Sequence, residues 1–331
     1  MTYQPKKDRY EKMIYNYCGD SGLKLPAISL GLWHNFGETD NFENSRAIIR
    51  RAFDLGITHF DLANNYGIPA GSAEKTLGNI LKTDLSDYRD QLIISTKAGY
   101  GMWEGPYGDG GSKKYLTASL DQSLKRLNLD YVDIFYHHRF DLDTPLEETM
   151  RTLDQIVRQG KALYVGISNY NSKQTIQAAK ILNKMGTPFI INQISYSIFD
   201  RWIEKDGLIN TLTEQKLSGI AFCPLAQGLL TDKYINDIPK DSRAASISQF
   251  LNQSDITEEK IRKIKKLNEI AYQRNQSLAQ MALAWVLRQD SIVSVLVGAS
   301  KVSQIEENIK TIDNLKFSKK ELEKIDQICA Y

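Results

Sequence analysis

An α/β chain that closes into a (β/α)8 barrel of the TIM type is the fold class this sequence predicts, on three observations. Eight short, β-rich apolar runs recur along the 331 residues; stretches with helical spacing lie between them; and several runs stop at a polar residue with chemical uses. Strand, helix, strand, helix is the signature of parallel βαβ units, and eight such units close into a barrel whose working face is the C-terminal end of its strands.

Taken in order, the runs are 27–32, 57–62, 92–96, 132–136, 162–167, 189–193, 219–223 and 292–297. The intervening stretches 45–55, 116–127, 146–159 and 278–288 return apolar residues every three and four positions, the period of an amphipathic helix. A doubly wound sheet would open its first helix with Gly-x-Gly-x-x-Gly, whereas Leu30-Gly31-Leu32-Trp33 offers one glycine. Before the first run, 13–18 and 23–25 flank Gly19-Asp20-Ser21-Gly22, the pattern of a β-hairpin, expected to close the bottom of the barrel. A long loop, from 227 to about 256 and carrying Pro239, Asp241 and Ser242, separates the seventh and eighth strands; loops of that length usually serve function. No internal repeat, low-complexity tract or boundary divides the chain, so residues 1–331 are expected to form a single domain.

Composition excludes several classes. Lys and Arg total 42 against 40 Asp and Glu, so no basic field exists to attract nucleic acid or an anionic membrane. No segment approaches the ~20 apolar residues of a membrane helix, and the N-terminus lacks a signal-like apolar run, which together predict a cytoplasmic protein. Cys18, Cys223 and Cys329 are scattered without a Cys-x-x-Cys pair, which predicts reduced thiols and neither a disulfide framework nor a zinc knuckle.

The chemistry is read from what each strand ends in. The second ends in Asp61 and is followed by Asn64-Asn65-Tyr66-Gly67, the third in Lys97, the fourth in His137-His138-Arg139 and the fifth in Ser168-Asn169. Alone, an Asp there reads as a cap, a Lys as an ion-pair partner and a Tyr as a packed aromatic. Together they suit carbonyl reduction, in which hydride addition leaves an alkoxide that needs a proton and a stabilising field. Lys97 is expected to bring the Tyr66 phenol nearer to working pH, Asp61 to hold Lys97, and His138 to donate to the carbonyl oxygen. If the strand continues that far, His137 and His138 alternate in direction, so at most one is expected to face the mouth. His59-x-Asp61 and the histidine pair also suggest a metal-dependent hydrolase, but no third ligand pattern appears, so no metal is expected.

The segments His59-Phe60-Asp61-Leu62-Ala63-Asn64-Asn65-Tyr66-Gly67, Ser95-Thr96-Lys97, Phe135-Tyr136-His137-His138-Arg139 and Gly166-Ile167-Ser168-Asn169-Tyr170 resemble the aldo-keto reductase superfamily. Gly105-Pro106-Tyr107-Gly108 and Asn192-Gln193-Ile194-Ser195-Tyr196 add a likeness to its bacterial L-glyceraldehyde 3-phosphate reductases and, beyond them, to β subunits of voltage-gated potassium channels. The resemblance implies Asp61, Tyr66, Lys97 and His138 as the catalytic set, with Tyr66 the acid, and NADPH as cofactor. It implies that Gly31, Trp33, Asp61 and Tyr66 belong to the cofactor site, that Ser168, Asn169 and Gln193 bind the nicotinamide carboxamide, and that Phe222, where relatives often carry Tyr or Trp, stacks on the ring. Cys223, Pro224, Leu225, Gln227, Gly228, Gly298 and Ser300 would also belong to the cofactor site, Lys233 and Arg243 would grip phosphates, and Gln304, Glu307 and Asn308 would lie around the adenosine and its 2′-phosphate. Trp33, Tyr66, Trp103, His138 and Arg139 would face a small aldehyde, L-glyceraldehyde 3-phosphate or methylglyoxal, beneath a glycine-rich lid at 99–111. The group also implies a tetramer or octamer. The alternative it carries is a redox-sensing regulatory subunit that holds NADPH with little turnover; channel-associated relatives have asparagine where this chain has His138.

Overall fold

Ile28–Gly31 (β3), His59–Asp61 (β4), Ile93–Ala98 (β5), Val132–His137 (β6), Ala162–Ser168 (β7), Phe189–Ser195 (β8), Ser218–Phe222 (β9) and Ile292–Val297 (β10) hydrogen-bond in parallel, each to the next and β10 back to β3, so the sheet closes on itself. This computed structural model describes residues 3–234 and 256–330. The α-helices of the described residues are α1 (Phe42–Asp54), α2 (Ser72–Ile80), α3 (Lys113–Leu127), α4 (Leu146–Arg158), α5 (Ser172–Met185), α6 (Trp202–Lys205), α7 (Leu208–Glu214), α8 (Glu258–Gln273), α9 (Leu278–Leu287), α10 (Val302–Ile309) and α11 (Lys319–Cys329). The eight predicted runs are the eight barrel strands. Local chemistry sets the helix ends. Capping boxes built on Asn171, Ser277 and Ser318 start α5, α9 and α11, and left-handed Asn128 and Gly186 end α3 and α5.

Strand alternation sorts side chains into two cores. Ile28, Leu30, Phe60, Ile94, Phe135, Val165 and Ile167 point outward to pack with Ile49, Leu77, Leu120, Leu153 and Leu182 of the surrounding helices. The inward set is apolar at the bottom, where Ile93, Ile134, Tyr136, Ile191 and Ile220 join Cys18 and Leu25. Those last two belong to the hairpin β1 (Tyr15–Tyr17) and β2 (Lys24–Pro26), which closes the N-terminal end of the barrel as expected. Its backbone is tied there by Gly19 N donating to Ser218 Oγ at 2.7 Å, while Asn16 Nδ2 donates to Val293 O at 2.8 Å. Burial pushes the Cys18 thiol well above its ordinary pKa, consistent with an inert packed sulfur.

Gly166 of β7 is required by the inward packing. A Cβ there would lie 2.5 Å from the Tyr136 ring and 2.8 Å from Ile191 Cγ2. Gly166→Ala is therefore expected to destabilise the fold by about 1–3 kcal/mol through overpacking. The midpoint of denaturant unfolding reports it, and an unchanged midpoint would refute this account of the lower core.

Candidate active site

Above the apolar floor the inward positions turn polar. Asp61 ends β4 and Lys97 sits on β5; the register pairs Asp61 with Ser95, which places Lys97 one inward step further up. Lys97 Nζ donates to Asp61 Oδ2 at 2.6 Å and to the Leu62 carbonyl, and the pair is almost wholly shut away from solvent. Two further donors reach Asp61 Oδ1: Ser95 Oγ at 2.7 Å and Gln193 Nε2 at 3.0 Å. A buried ion pair with its remaining lone pairs satisfied is a rigid fixture rather than a large source of stability. Burial lowers the Lys97 pKa, and the Asp61 charge opposes that.

Tyr66 approaches from the loop after β4. Lys97 Nζ lies 4.9 Å from its ring centre, and the ring meets His138 edge-on at 5.9 Å. The ring keeps a partly open side toward the mouth, but protein crowds its hydroxyl, and this desolvation, followed by the Asp61 charge, raises the phenol pKa well above its usual value. Lys97 was expected to move the phenol the other way. In the resting site burial wins, and Tyr66 is held as a protonated phenol. His138 is kept neutral by burial and by the charge of Lys97, both of which lower its pKa. Its Nδ1 is buried without a hydrogen-bond partner among the described residues. His137 turns the other way, as alternation requires: it ends β6 against the Tyr170 hydroxyl at 2.6 Å, and burial brings its pKa down to about 4.

The expected cofactor residues line the same face. Gly31 ends β3, Trp33 tilts over Tyr66 at 6.1 Å, and Ser168 ends β7. Left-handed Asn169 (φ 59°) donates to the His138 carbonyl at 3.1 Å and to Ser168 Oγ at 3.1 Å. Gln193 is bonded to Asp61, so its amide N–H already has an acceptor. Phe222 ends β9 half-buried, and Cys223, Pro224, Leu225, Gln227 and Gly228 form the turns after it, with Gln227 Nε2 3.0 Å from Cys223 Sγ. Lys233 is exposed beyond them; Arg243 lies outside the described residues.

After β10, Gly298 is exposed, and among the described residues nothing would crowd a Cβ on it. Gln304 Oε1 accepts from Ser300 N at 2.7 Å, and among the described residues no side chain caps the start of α10, where a helix N-terminus favours an anion. Glu307 is engaged elsewhere, by Gln280 Nε2 at 2.8 Å and Lys310 at 2.8 Å, and Asn308 is buried. Among the described residues, the unpartnered His138 nitrogen, the half-buried Phe222 ring that ends β9 and the uncapped start of α10 after the neighbouring β10 fit a nicotinamide dinucleotide. Gly31, Trp33, Ser168, Asn169 and Phe222 would hold its ring end and Ser300 its phosphate end.

On the substrate side, Trp103 packs on Tyr115 at 5.0 Å. Arg139 is bound by the lid, with Nη2 2.9 Å from Asp109 Oδ1 and Nε 2.8 Å from Gly99 O. Asp141 instead accepts from Gly111 N, Asp143 N and Thr144 Oγ1. Tyr100, which the sequence reading passed over, sets its ring 4.7 Å from His138 and under the Arg139 guanidinium. Ser95 was also missed as a donor to Asp61, although it stands two residues before Lys97 and so shares its face.

The Aldo/keto reductase family model matches residues 27–330. The chain is 56% identical to L-glyceraldehyde 3-phosphate reductase of Escherichia coli (strain K12), over 100% of this chain and 96% of that protein. It is 35% identical to a probable voltage-gated potassium channel subunit beta of Oryza sativa subsp. japonica, over 91% and 92% of the two chains. Among solved structures, aldo-keto reductase AKR11C1 from Bacillus halodurans (holo form) superposes with a TM-score of 0.76 at 24% identity, covering 96% of each chain, which speaks for the fold alone. With a family match that spans the barrel and a reductase relative that spans the whole chain, the protein belongs to the aldo/keto reductase family and is an oxidoreductase.

Proposed function

We propose that this chain reduces small aldehydes with NADPH, L-glyceraldehyde 3-phosphate and methylglyoxal among them, as one cytoplasmic barrel domain spanning residues 1–331 and assembled as a tetramer or octamer. The observation that carries the proposal is the convergence of Asp61, Tyr66, Lys97 and His138 at one end of the barrel, with the buried 2.6 Å Lys97–Asp61 pair beneath the Tyr66 ring. Bound NADPH would supply the hydride to the carbonyl carbon. Tyr66 then gives its hydroxyl proton to the carbonyl oxygen, the neutral His138 ring orients that oxygen, and the Lys97 charge offsets the negative charge left on the phenol. Lys233, Arg243, Ser300 and Gln304 would favour the 2′-phosphate and so NADPH over NADH.

The likeness to a protein named for a phosphorylated aldehyde supports a phosphate contact, for which Arg139 is the proposed group. Its partner Asp109 is exposed, and such surface pairs are worth about 0–1 kcal/mol, so an incoming phosphate displaces Asp109 at little cost. Arg139→Ala is expected to lower kcat/KM for glyceraldehyde 3-phosphate by about 10–100-fold, the loss of a charge-assisted bond, and to spare unphosphorylated glyceraldehyde. Asp109→Ala should not lower it. NADPH consumption with each substrate measures both; equal loss on the two substrates would remove the phosphate contact from the proposal.

A further inference from the structure

The inward polar residues continue beyond the catalytic pair in an unbroken line that the proposed reaction does not use. Ser294 Oγ on β10 lies 2.6 Å from Ser29 Oγ on β3; Ser29 Oγ lies 2.9 Å from His59 Nδ1 on β4; His59 Nε2 lies 2.9 Å from Ser95 Oγ on β5; and Ser95 Oγ lies 2.7 Å from Asp61 Oδ1. All five residues are buried, so these bonds are shielded from bulk solvent.

The direction of every hydrogen in this line follows from its end. Asp61, ion-paired with Lys97, has only lone pairs to offer, so Ser95 spends its single hydrogen on Asp61. Ser95 must then accept from His59 Nε2–H. A neutral imidazole carries one hydrogen, which leaves Nδ1 as an acceptor; Ser29 donates to it and itself accepts from Ser294. Burial favours that neutral ring, taking the His59 pKa down to about 4 against the raising effect of Asp61 and with the lowering effect of Lys97. The four hydroxyl and imidazole dipoles thus align with their positive ends toward the carboxylate, an arrangement in which each bond polarises the next.

We propose that His59 is a positioning residue of this site: as the Nε2–H tautomer it links Ser29 to Ser95 and so orients the hydroxyl that holds Asp61 in place against Lys97. The inference rests on the proposed role of Lys97 beneath Tyr66. It also accounts for a histidine two residues before Asp61 on the same face without any metal, since both ring nitrogens are used by serines.

The test has two arms on the full-length protein. Ring-nitrogen NMR of 15N-histidine-labelled enzyme reads the tautomer directly; the chain has four histidines, and the His59 signals are those lost in His59→Gln. The expected result is a protonated Nε2 and an unprotonated Nδ1 that persist into mildly acidic solution. A protonated Nδ1, or a doubly protonated ring at neutral pH, overturns the proposal. In the second arm, His59→Leu is expected to lower kcat for aldehyde reduction about tenfold, the effect of losing one buried hydrogen bond, with the KM for NADPH nearly unchanged. His59→Gln keeps a donor and an acceptor in one planar group and should restore most of that rate. Equal rates in His59→Leu and wild type, or equal loss in His59→Leu and His59→Gln with both folded, overturn it. If His59→Leu does not fold, Ser29→Ala replaces it, with a smaller loss of kcat expected and no loss contradicting the proposal. Tyr66→Phe run in parallel separates the two failures: retained turnover there removes the proposed proton donor, whereas the tautomer result stands or falls independently.

Discussion

Tyr66→Phe is expected to lower the rate of aldehyde reduction by about 10²–10⁴-fold, the usual contribution of a general acid, and to leave NADPH affinity almost unchanged. The hydroxyl is needed only as negative charge grows on the carbonyl oxygen, so its loss falls on kcat rather than on binding. The ring itself stays, and with it the edge contact to His138 and the packing against Trp33. Burial and the Asp61 charge hold the phenol pKa well above its ordinary value, so Tyr66 remains protonated through the neutral range. Wild-type reduction should therefore be nearly independent of pH there and be lost only as pH rises through that raised pKa. Stopped-flow measurement of hydride transfer, with cofactor fluorescence for binding, checks both parts. A folded Tyr66→Phe protein with wild-type turnover would mean that another group delivers the proton.

The second large effect belongs to Lys97→Met, which removes one partner of the buried ion pair. The Asp61 carboxylate is then stranded with Ser95 and Gln193 as its donors. Truncating one member of a buried pair costs about 3–5 kcal/mol, so unfolding by denaturant should occur at a clearly lower midpoint. Neutralising the survivor relieves the penalty: Asp61→Asn combined with Lys97→Met should recover part of the stability and none of the activity. Reduction should also fall sharply in Lys97→Met, because no cation then offsets the phenolate as the proton leaves. The losses from Tyr66→Phe and Lys97→Met should not add, since Lys97 acts through the Tyr66 hydroxyl. A midpoint unchanged by Lys97→Met would show that the pair is not the fixture described.

The strands were legible because each is apolar for its own length and punctuated by polar residues, and the polar cluster at the barrel mouth was legible because Asp61, Lys97 and His138 stand where those runs stop. Alternation correctly separated His138 from His137. What the sequence left open were choices between partners far apart in the chain. Asp141 and Asp143 stand two and four residues from Arg139 in the chain, yet Arg139 pairs with Asp109 in the lid, because Asp141 is taken up by loop N–H groups and Thr144. His59 was read as a weak metal candidate since neither Ser29 nor Ser95 is adjacent to it until the barrel closes. The sign of the Tyr66 shift was missed for a related reason: a neighbouring ammonium is visible as a residue type, whereas the protein packed around a hydroxyl is not. Arg243, expected near the 2′-phosphate, lies outside the described residues, so its place remains a proposal tied to the preference for NADPH.

Multiple-turnover consumption of NADPH by the purified protein with L-glyceraldehyde 3-phosphate, with the alcohol product quantified in the same reaction, tests the central claim most directly. The account predicts many turnovers per protein chain and one alcohol formed for each NADPH oxidised. Oxidation that stops after a single equivalent of bound cofactor, with this and other small aldehydes alike, would contradict it and point to a regulatory subunit that holds its nucleotide.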